Sequence, residues 1–136
     1  MAEPRDTIEL YVRVRYAETD AMGVAHHTSY IVWFEEARSE FFRQIGGDYA
    51  KLEQRGIALP VAELTCRYIA PARYSDRVVV KTRLKEVRSR SMSFSYEVIL
   101  QETGERLATG MTKHICIDSE GQARLIPPEV RALLMP

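Results

Sequence analysis

The amino-acid sequence predicts an α+β fold, in which a five-stranded antiparallel sheet surrounds one long helix. Between residues 31 and 45, apolar side chains recur every three or four positions, which is the period of an amphipathic helix. Five other stretches are typical of strands, because most of them alternate apolar and polar side chains so that one face is buried. A chain of 136 residues fits one domain, which we expect to span residues 1–136.

The predicted strands lie on both sides of the helix in the sequence. The first covers residues 8–16, where aliphatic side chains alternate mainly with charged ones. An irregular segment over residues 17–27 separates this strand from the helix. A glycine-containing turn over residues 102–105 predicts a hairpin between the last two strands, and Pro127 and Pro128 open a short C-terminal helix. The other predicted strands cover residues 64–68, 77–85, 93–101 and 107–117.

The long helix is expected to run for about four turns, from an N-cap at Thr28 or Ser29 to the glycine pair at residues 46–47. Hydroxyl side chains cap helix N-termini, and glycine commonly ends a helix. A shorter helix is predicted over residues 48–54. The buried face of the long helix carries an aromatic stripe, which should fill the concave face of the curved sheet. That stripe consists of Phe34, Phe41 and Phe42.

The charge balance argues against nucleic acid and anionic membranes as partners. Lysine plus arginine number 19, as do aspartate plus glutamate, so the net charge is +0. No apolar run is long enough to span a membrane, and the first residues lack a signal-peptide core. These features predict a cytoplasmic protein without membrane insertion. Cys66 and Cys116 lack the spacing of a zinc knuckle or redox pair, and we expect both to be buried thiols.

The predicted architecture leaves part of the sheet uncovered. One helix covers one face, whereas an edge strand exposes unpaired backbone donors and acceptors. A near-neutral surface also provides little repulsion between copies. We therefore expect a homodimer or a homotetramer.

The segment between the first strand and the helix holds the densest group of chemically active side chains. Asp20 and His27 lie in it on either side of Gly23. A helix start offers free backbone N–H groups and a partial positive charge, which can bind the oxygen of a polarised carbonyl. A nearby carboxylate can attack a thioester or activate water. The segment therefore contains sufficient groups for thioester hydrolysis.

Each of these residues also has a structural interpretation. Asp20 could simply cap a turn, because Asp-x-x-Gly is good turn chemistry. Glu18 is expected to be exposed or paired with an arginine, and His26 to be structural. Zinc binding by His26, His27 and His114 has no supporting ligand spacing. We predict no metal.

Several segments of the chain resemble the 4-hydroxybenzoyl-CoA thioesterase family of hotdog-fold proteins, including its bacterial branch associated with the Tol-Pal system. The first signature includes the run TDAMGV. The second begins at the end of a predicted strand and continues into the turn after it, and the third lies at the start of another predicted strand. The resemblance extends from about residue 8 to 118. The matching segments are residues 13–16, 19–24, 27–30, 34–38, 68–76 and 91–94.

The resemblance implies a hotdog fold and an acyl-CoA thioesterase activity. Asp20 matches the catalytic aspartate of the family, which acts as nucleophile or general base. His27 matches the position whose backbone N–H polarises the thioester carbonyl. Gly23 and Tyr30 lie in the same matching segments, and we expect both to contact the substrate.

Two residues of this sequence depart from the Tol-Pal-associated branch. His26 stands where those relatives often have tyrosine, and Met22 where they often have glycine. Neither difference touches the chemistry, but both bear on the shape of the acyl pocket. The resemblance therefore implies acyl-CoA as substrate and no cofactor, and leaves the acyl group open.

The phosphates of CoA require a local positive charge on a chain that is neutral overall. Arg88 and Arg90 lie in a turn between two predicted strands, and arginine pairs well with phosphate oxygens. We predict that they bind CoA, although a solvated polar turn has the same composition. Arg67 and Arg73 are the next candidates.

Two other functions fit the predicted fold. A hotdog dehydratase or hydratase usually has a histidine and a carboxylate on the long helix, whereas this helix has Glu35 and Glu36 but no histidine. A non-catalytic acyl-CoA-binding module would not need an ionised Asp20. Thioester hydrolysis is the leading hypothesis.

Overall fold

The protein is described by a computed structural model over residues 7–135. Its five strands form one antiparallel sheet in the order β1-β3-β4-β5-β2, which confirms the predicted α+β class. A single 3₁₀ turn over Tyr16–Glu18 follows the first strand. The elements are β1 (Ile8–Arg13), α1 (His27–Gln44), α2 (Tyr49–Gln54), β2 (Val61–Tyr68), β3 (Arg77–Val87), β4 (Ser91–Leu100), β5 (Arg106–Ile115) and α3 (Pro128–Leu134).

The aromatic face of α1 packs on the concave face of the sheet, as predicted. Phe34 and Phe41 are fully buried, and the Phe34 ring stacks on Tyr96 of β4 with 4.4 Å between ring centroids. Gly110 of β5 makes this approach possible, because a Cβ there would lie 2.4 Å from the Phe34 ring. The core therefore depends on a residue without a side chain under the helix.

The first strand is shorter than predicted. β1 pairs with β3 from Ile8 to Arg13, and β3 itself begins at Arg77, opposite Arg13. Beyond that point the chain has no neighbouring strand to pair with, so it turns into the 3₁₀ segment. Tyr16, placed by the alternation on the buried face, is 78% exposed there.

β2 is an uncovered edge of the sheet. Nearly every residue of this strand is exposed, including Val61 and Tyr68 at its two ends. Cys66, expected to be buried, is only half-buried because it belongs to this edge, whereas Cys116 is buried as predicted. No helix among residues 7–135 is long and apolar enough to cross a membrane.

Candidate active site

Asp20 closes a tight turn immediately before α1. Its backbone carbonyl accepts the Gly23 N–H at 3.0 Å, and its Oδ1 accepts the Met22 N–H at 2.8 Å. Gly23 has a φ of +79°, a conformation that favours glycine. Asp20 is half-buried, and no hydrogen bond reaches its Oδ2 from any described residue. The turn therefore uses one carboxylate oxygen and leaves the other available for chemistry.

The N-cap of α1 is neither of the two residues predicted for it. His26 is the N-cap, and its Nδ1 accepts the Thr28 N–H at 3.2 Å. Thr28 and Ser29, the predicted caps, are used otherwise: the Thr28 hydroxyl lies 2.7 Å from His26 Nδ1, and Ser29 Oγ donates to the Glu18 carbonyl. His26 is structural, as expected, because its ring caps the helix.

His27 is the first residue of α1 and presents two different groups. Its side chain is exposed, and its backbone carbonyl accepts the Tyr68 hydroxyl at 2.7 Å. Its backbone N–H has no acceptor within residues 7–135. A free N–H at a helix N-terminus carries partial positive charge and can bind a developing oxyanion. Tyr68, the last residue of β2, thus fixes the helix start to the sheet edge.

Glu18 anchors the loop before α1 through its buried carboxylate. Glu18 was expected to be either exposed or paired with an arginine. It is buried, with 8% of its surface exposed, and it pairs with Arg15, whose Nε lies 3.4 Å from Glu18 Oε1. Its Oε2 accepts the Trp33 indole N–H at 2.7 Å. Burial opposes ionisation, but the hydrogen bonds from Arg15 and Trp33 outweigh it and hold the Glu18 pKa below its ordinary value. Trp33 is fully buried on α1 but was not among the residues predicted for the aromatic stripe.

Tyr30 lies one helical turn beyond the capped start of α1. It is buried, and its hydroxyl accepts the Ala72 N–H at 3.1 Å. Its ring packs edge-on against Tyr68, with 5.1 Å between centroids. Burial raises the pKa of its hydroxyl, which therefore stays protonated. These contacts give Tyr30 a packing role, and its contact with substrate stays a prediction.

The sequence model of the thioesterase-like superfamily matches residues 14–134. The chain belongs to the thioesterase-like superfamily. It is 33% identical over 109 residues to the putative acyl-CoA thioesterase YneP of Bacillus subtilis. This alignment covers 80% of this chain and 78% of that protein. It is 31% identical over 122 residues to the acyl-CoA thioester hydrolase YbgC of Escherichia coli. That alignment covers 89% of this chain and 90% of the Escherichia coli protein.

A solved structure shows the same architecture. The DHNA-CoA thioesterase of Staphylococcus aureus superposes with a TM-score of 0.86 at 32% identity, over 93% of this chain and 87% of that chain. A five-stranded antiparallel sheet around α1 is the hotdog arrangement. The resemblance read from the sequence and the fold that it implied are both confirmed.

Arg88 and Arg90, predicted to bind CoA, lie in the turn between β3 and β4, here called the arginine turn. Within a single copy of the chain this turn is far from Asp20. The loop around Asp20 meets the start of β3, where the Val14 N–H donates to the Asp76 carbonyl. Arg88 and Arg90 follow the end of β3, whose 11 residues span roughly 35 Å. Arg88 pairs with Glu86 at 2.5 Å, and Arg90 is exposed. A single chain does not bring the two predicted halves of the site together.

The histidines considered for zinc do not converge either. His114 lies on β5 in the core, with Nδ1 2.9 Å from the Leu59 carbonyl, whereas His26 and His27 lie at the helix start. Over the described part of the chain, residues 7–135, no group of three or more histidine, cysteine, aspartate or glutamate side chains could hold a metal ion.

Proposed function

We propose that this protein hydrolyses acyl-CoA thioesters, with Asp20 as the catalytic carboxylate and the His27 N–H as the oxyanion donor. The observation that supports this proposal is that two groups without a partner, the Asp20 Oδ2 and the His27 N–H, lie in the turn before α1 and at the first residue of α1. Two similar proteins, the acyl-CoA thioester hydrolase of Escherichia coli and the DHNA-CoA thioesterase of Staphylococcus aureus, agree with it by name. The enzyme acts in the cytoplasm, as its sequence predicts.

The proposed reaction uses each group once. The thioester carbonyl oxygen accepts the His27 N–H, which stabilises the negative charge that develops on that oxygen. Asp20 then acts in one of two ways: its carboxylate attacks the carbonyl carbon to form an anhydride that water cleaves, or it takes a proton from the attacking water. In both routes the C–S bond breaks, CoA leaves as the thiol after protonation, and the acyl group leaves as the acid.

We also propose that β2 pairs with β2 of a second copy, antiparallel, across a two-fold axis at Thr65. In this register Glu63 lies opposite Arg67 of the partner subunit, and the pair occurs twice by symmetry. Opposite charges directly across an antiparallel pair are favourable, whereas an axis at Glu63 or at Arg67 would place like charges opposite each other. The uncovered edge of β2 is what this pairing would bury.

This pairing would unite the two halves of the site. The end of β2 lies beside the helix start, where Tyr68 bonds to His27. The beginning of β2 and the arginine turn lie on either side of the end of β5. The Ile115 N–H donates to the Pro60 carbonyl, and the N–H of the following residue, Cys116, donates to the Arg90 carbonyl. Antiparallel strands place the end of one next to the beginning of the other. Arg90 of the partner subunit would therefore approach the Asp20 end of the first copy.

The catalytic proposal is tested by measuring release of free CoA from a panel of aliphatic and aromatic acyl-CoA thioesters. Hydrolysis by the wild type, lost in Asp20→Asn, supports it. Binding of acyl-CoA without turnover by the wild type would instead favour a non-catalytic binding module. Hydration of an enoyl-CoA without thioester cleavage would favour a hydratase.

The dimer is tested by a cross-link at the proposed axis. Opposite Cβ atoms in an antiparallel pair lie about 5 Å apart, close to disulfide geometry. We expect Thr65→Cys in a Cys66→Ser background to form a covalent dimer under mild oxidation, and Thr109→Cys in the same background, one strand inward, not to do so. Sedimentation of the wild type as an active monomer of 15.6 kDa at micromolar concentration would refute the proposal.

A further inference from the structure

A chain of side-chain hydrogen bonds runs through the core from Arg38 to the Leu59 carbonyl. Arg38 Nη1 lies 3.1 Å from Tyr96 Oη, which lies 2.6 Å from Thr112 Oγ1. Thr112 Oγ1 lies 2.8 Å from His114 Nε2, and His114 Nδ1 lies 2.9 Å from the Leu59 carbonyl oxygen. Tyr96, Thr112 and His114 are all at most 3% exposed. The chain links α1 to the residues just before β2.

The two ends of this chain fix the direction of every proton in it. A guanidinium only donates and a carbonyl only accepts. Tyr96 must therefore accept from Arg38 and donate to Thr112, which donates to His114 Nε2, and His114 donates from Nδ1 to Leu59. His114 is neutral in this arrangement, in agreement with a pKa that burial lowers to about 4. Arg38 is thus the donor at the start of the chain, and its guanidinium also hydrogen-bonds the Tyr49 hydroxyl. Of its five N–H donors, these two bonds leave the others available.

The rest of the Arg38 guanidinium faces a cavity and lacks a counter-ion. The cavity has a volume of about 310 Å³, and Tyr49, Leu59 and Pro60 line it together with Arg38. No carboxylate within residues 7–135 lies within ion-pair distance of this half-buried guanidinium. Burial raises the pKa of Tyr49 to about 12, so this hydroxyl does not supply a negative charge. A charge removed even partly from water is normally paired with an opposite charge, and Arg38 has only the Tyr96 and Tyr49 hydroxyls.

We propose that the Arg38 cavity binds the carboxylate of a small organic acid, with Arg38 as the anion-binding residue. The guanidinium fork matches a carboxylate with two parallel hydrogen bonds. The apolar part of the acid packs on the aliphatic wall, which Leu52, Ile57, Leu59 and Pro60 provide. The cavity lies at the lower end of the range for small-molecule sites, which suits a short or aromatic acid and not a long acyl chain.

The remaining charges at the cavity favour a singly charged ligand. Glu35 and Glu53 line the cavity and are exposed. Their negative charge is screened by water but still disfavours an anion of higher charge, such as inorganic phosphate. The site differs from the proposed catalytic one, because Arg38 lies 11 positions after His27, roughly 16 Å along α1. Thioester hydrolysis would supply an acid of this class, but the binding proposal does not depend on it.

The test is calorimetric titration of the wild type with benzoate, with its neutral analogue benzamide, and with inorganic phosphate. We expect benzoate to bind at least about tenfold more tightly than benzamide or phosphate, because only benzoate combines one charge with an apolar body. Equal affinity for benzoate and benzamide, or tighter binding of phosphate, would overturn the proposal. This comparison needs no variant and so does not depend on the folding of one.

A matched pair of variants locates the binding. Arg38→Gln should lose at least about tenfold in benzoate affinity, whereas Arg43→Gln should keep it, since Arg43 is exposed on the same helix and pairs with Glu40. Benzoate should shift the backbone amide NMR signals of Ser39 and Leu59 and leave those of His27 unchanged. Unchanged affinity in Arg38→Gln, or shifts at His27 instead, would contradict the proposal. Asp20→Asn should bind benzoate normally even while it loses hydrolysis, which separates this test from that of the catalytic proposal.

Discussion

Glu18 and Asp20 lie two residues apart in one loop, and the structure gives their carboxylates opposite roles. Glu18 is buried, and both of its oxygens are bonded, to the Arg15 N–H at 2.7 Å and to the Trp33 indole at 2.7 Å. Asp20 is half-buried and uses one oxygen, on the Met22 N–H. A carboxylate whose acceptors are all used holds structure. A carboxylate with a free oxygen beside a helix N-terminus is available to react.

The comparison also limits what a perturbed pKa reveals. The pKa of Glu18 is held below its ordinary range, because the hydrogen bonds from Arg15 and Trp33 outweigh its burial. Perturbed groups often mark active sites, but structural hydrogen-bond networks perturb pKa values too. Glu18 has a perturbed pKa and serves as the anchor of its loop. The unused hydrogen-bonding capacity of each oxygen is the better guide to chemistry.

The largest expected effect follows from replacing Asp20. We expect Asp20→Asn to lower the rate of thioester hydrolysis at least about a hundredfold, because an amide is neither a useful base nor a good nucleophile. Its oxygen can still accept the Met22 N–H, so the turn should survive and the free energy of unfolding should change by less than about 0.5 kcal/mol. Steady-state kinetics and urea unfolding on the same preparation measure both quantities. Near wild-type turnover on the best substrate would refute the catalytic assignment.

A buried imidazole extends the comparison to a base. His114 has both nitrogens bonded and a pKa near 4 in the folded state, against 6.5 as its ordinary value. Between these values the unfolded chain binds a proton that the folded chain does not, so stability must fall as the pH is lowered from 6.5 toward 4. The loss attributable to His114 should reach about 2 kcal/mol between pH 7.5 and pH 5.

Urea unfolding of the wild type and of His114→Gln at these two pH values measures that contribution. The variant is expected to be less stable at pH 7.5, where the hydrogen-bond chain is complete, and to lose less stability on acidification. The decisive quantity is the difference between the two pH dependences, not the stability of either protein. Parallel pH profiles would show that His114 titrates normally in the folded state.

Replacing the anchor should produce the reverse of the Asp20 result. In Glu18→Gln one oxygen can accept only one of the two donors well, so either the Arg15 N–H or the Trp33 indole loses its partner. We expect a loss of about 1–2 kcal/mol in the free energy of unfolding at pH 7, with the rate per folded molecule changed only a few-fold.

The acid limb of the stability curve provides an internal control for this variant. Because the folded-state pKa of Glu18 is lowered, its contribution is fully present above its ordinary value of 4.5 and is lost as the pH falls below it. Glu18→Gln should lack that part of the loss. A hundredfold drop in the rate of the folded variant would instead place Glu18 in the chemistry.

The elements of the fold could be predicted from periodicity, because one buried face imposes a period on each strand and on α1. The stripe of Phe34, Phe41 and Phe42 shows this directly, since all three are buried against the sheet. Where β1 ends could not be predicted in this way. That boundary depends on where its neighbour β3 begins, which is a property of the pairing and not of the local sequence.

The site was predictable to a different extent at each residue. Asp20 and His27 stood out because both match signatures of the family, and the structure places Asp20 in the turn before α1 and His27 at its first residue. The anchor of that loop did not stand out, because the bond from Glu18 to Trp33 joins residues 15 positions apart in different elements. His26 is the N-cap, whereas the hydroxyl of Ser29 donates to the Glu18 carbonyl, a contact that local sequence does not reveal.

The smallest expected effect tests whether the arginine turn belongs to the same site as Asp20. Replacing Arg88 and Arg90 together with alanine should raise the KM for an acyl-CoA roughly tenfold, because each exposed arginine–phosphate contact contributes about 1 kcal/mol or less. The KM for the same acyl group on a short pantetheine-like thiol should stay unchanged, since that substrate has no nucleotide phosphate. Kinetics of both substrates on the wild type and the double variant measure the split.

Two further variants make this last prediction specific to position. Arg43→Ala removes an exposed, ion-paired arginine from α1 and should leave both KM values unchanged. Arg88 is itself paired with Glu86, so Glu86→Gln should free its guanidinium and lower the KM for the acyl-CoA alone. If both substrates weakened equally in the double variant, the turn would act on shape or stability. If neither weakened, the phosphates would lie elsewhere, and Arg67, exposed on the β2 edge, would be the next residue to replace.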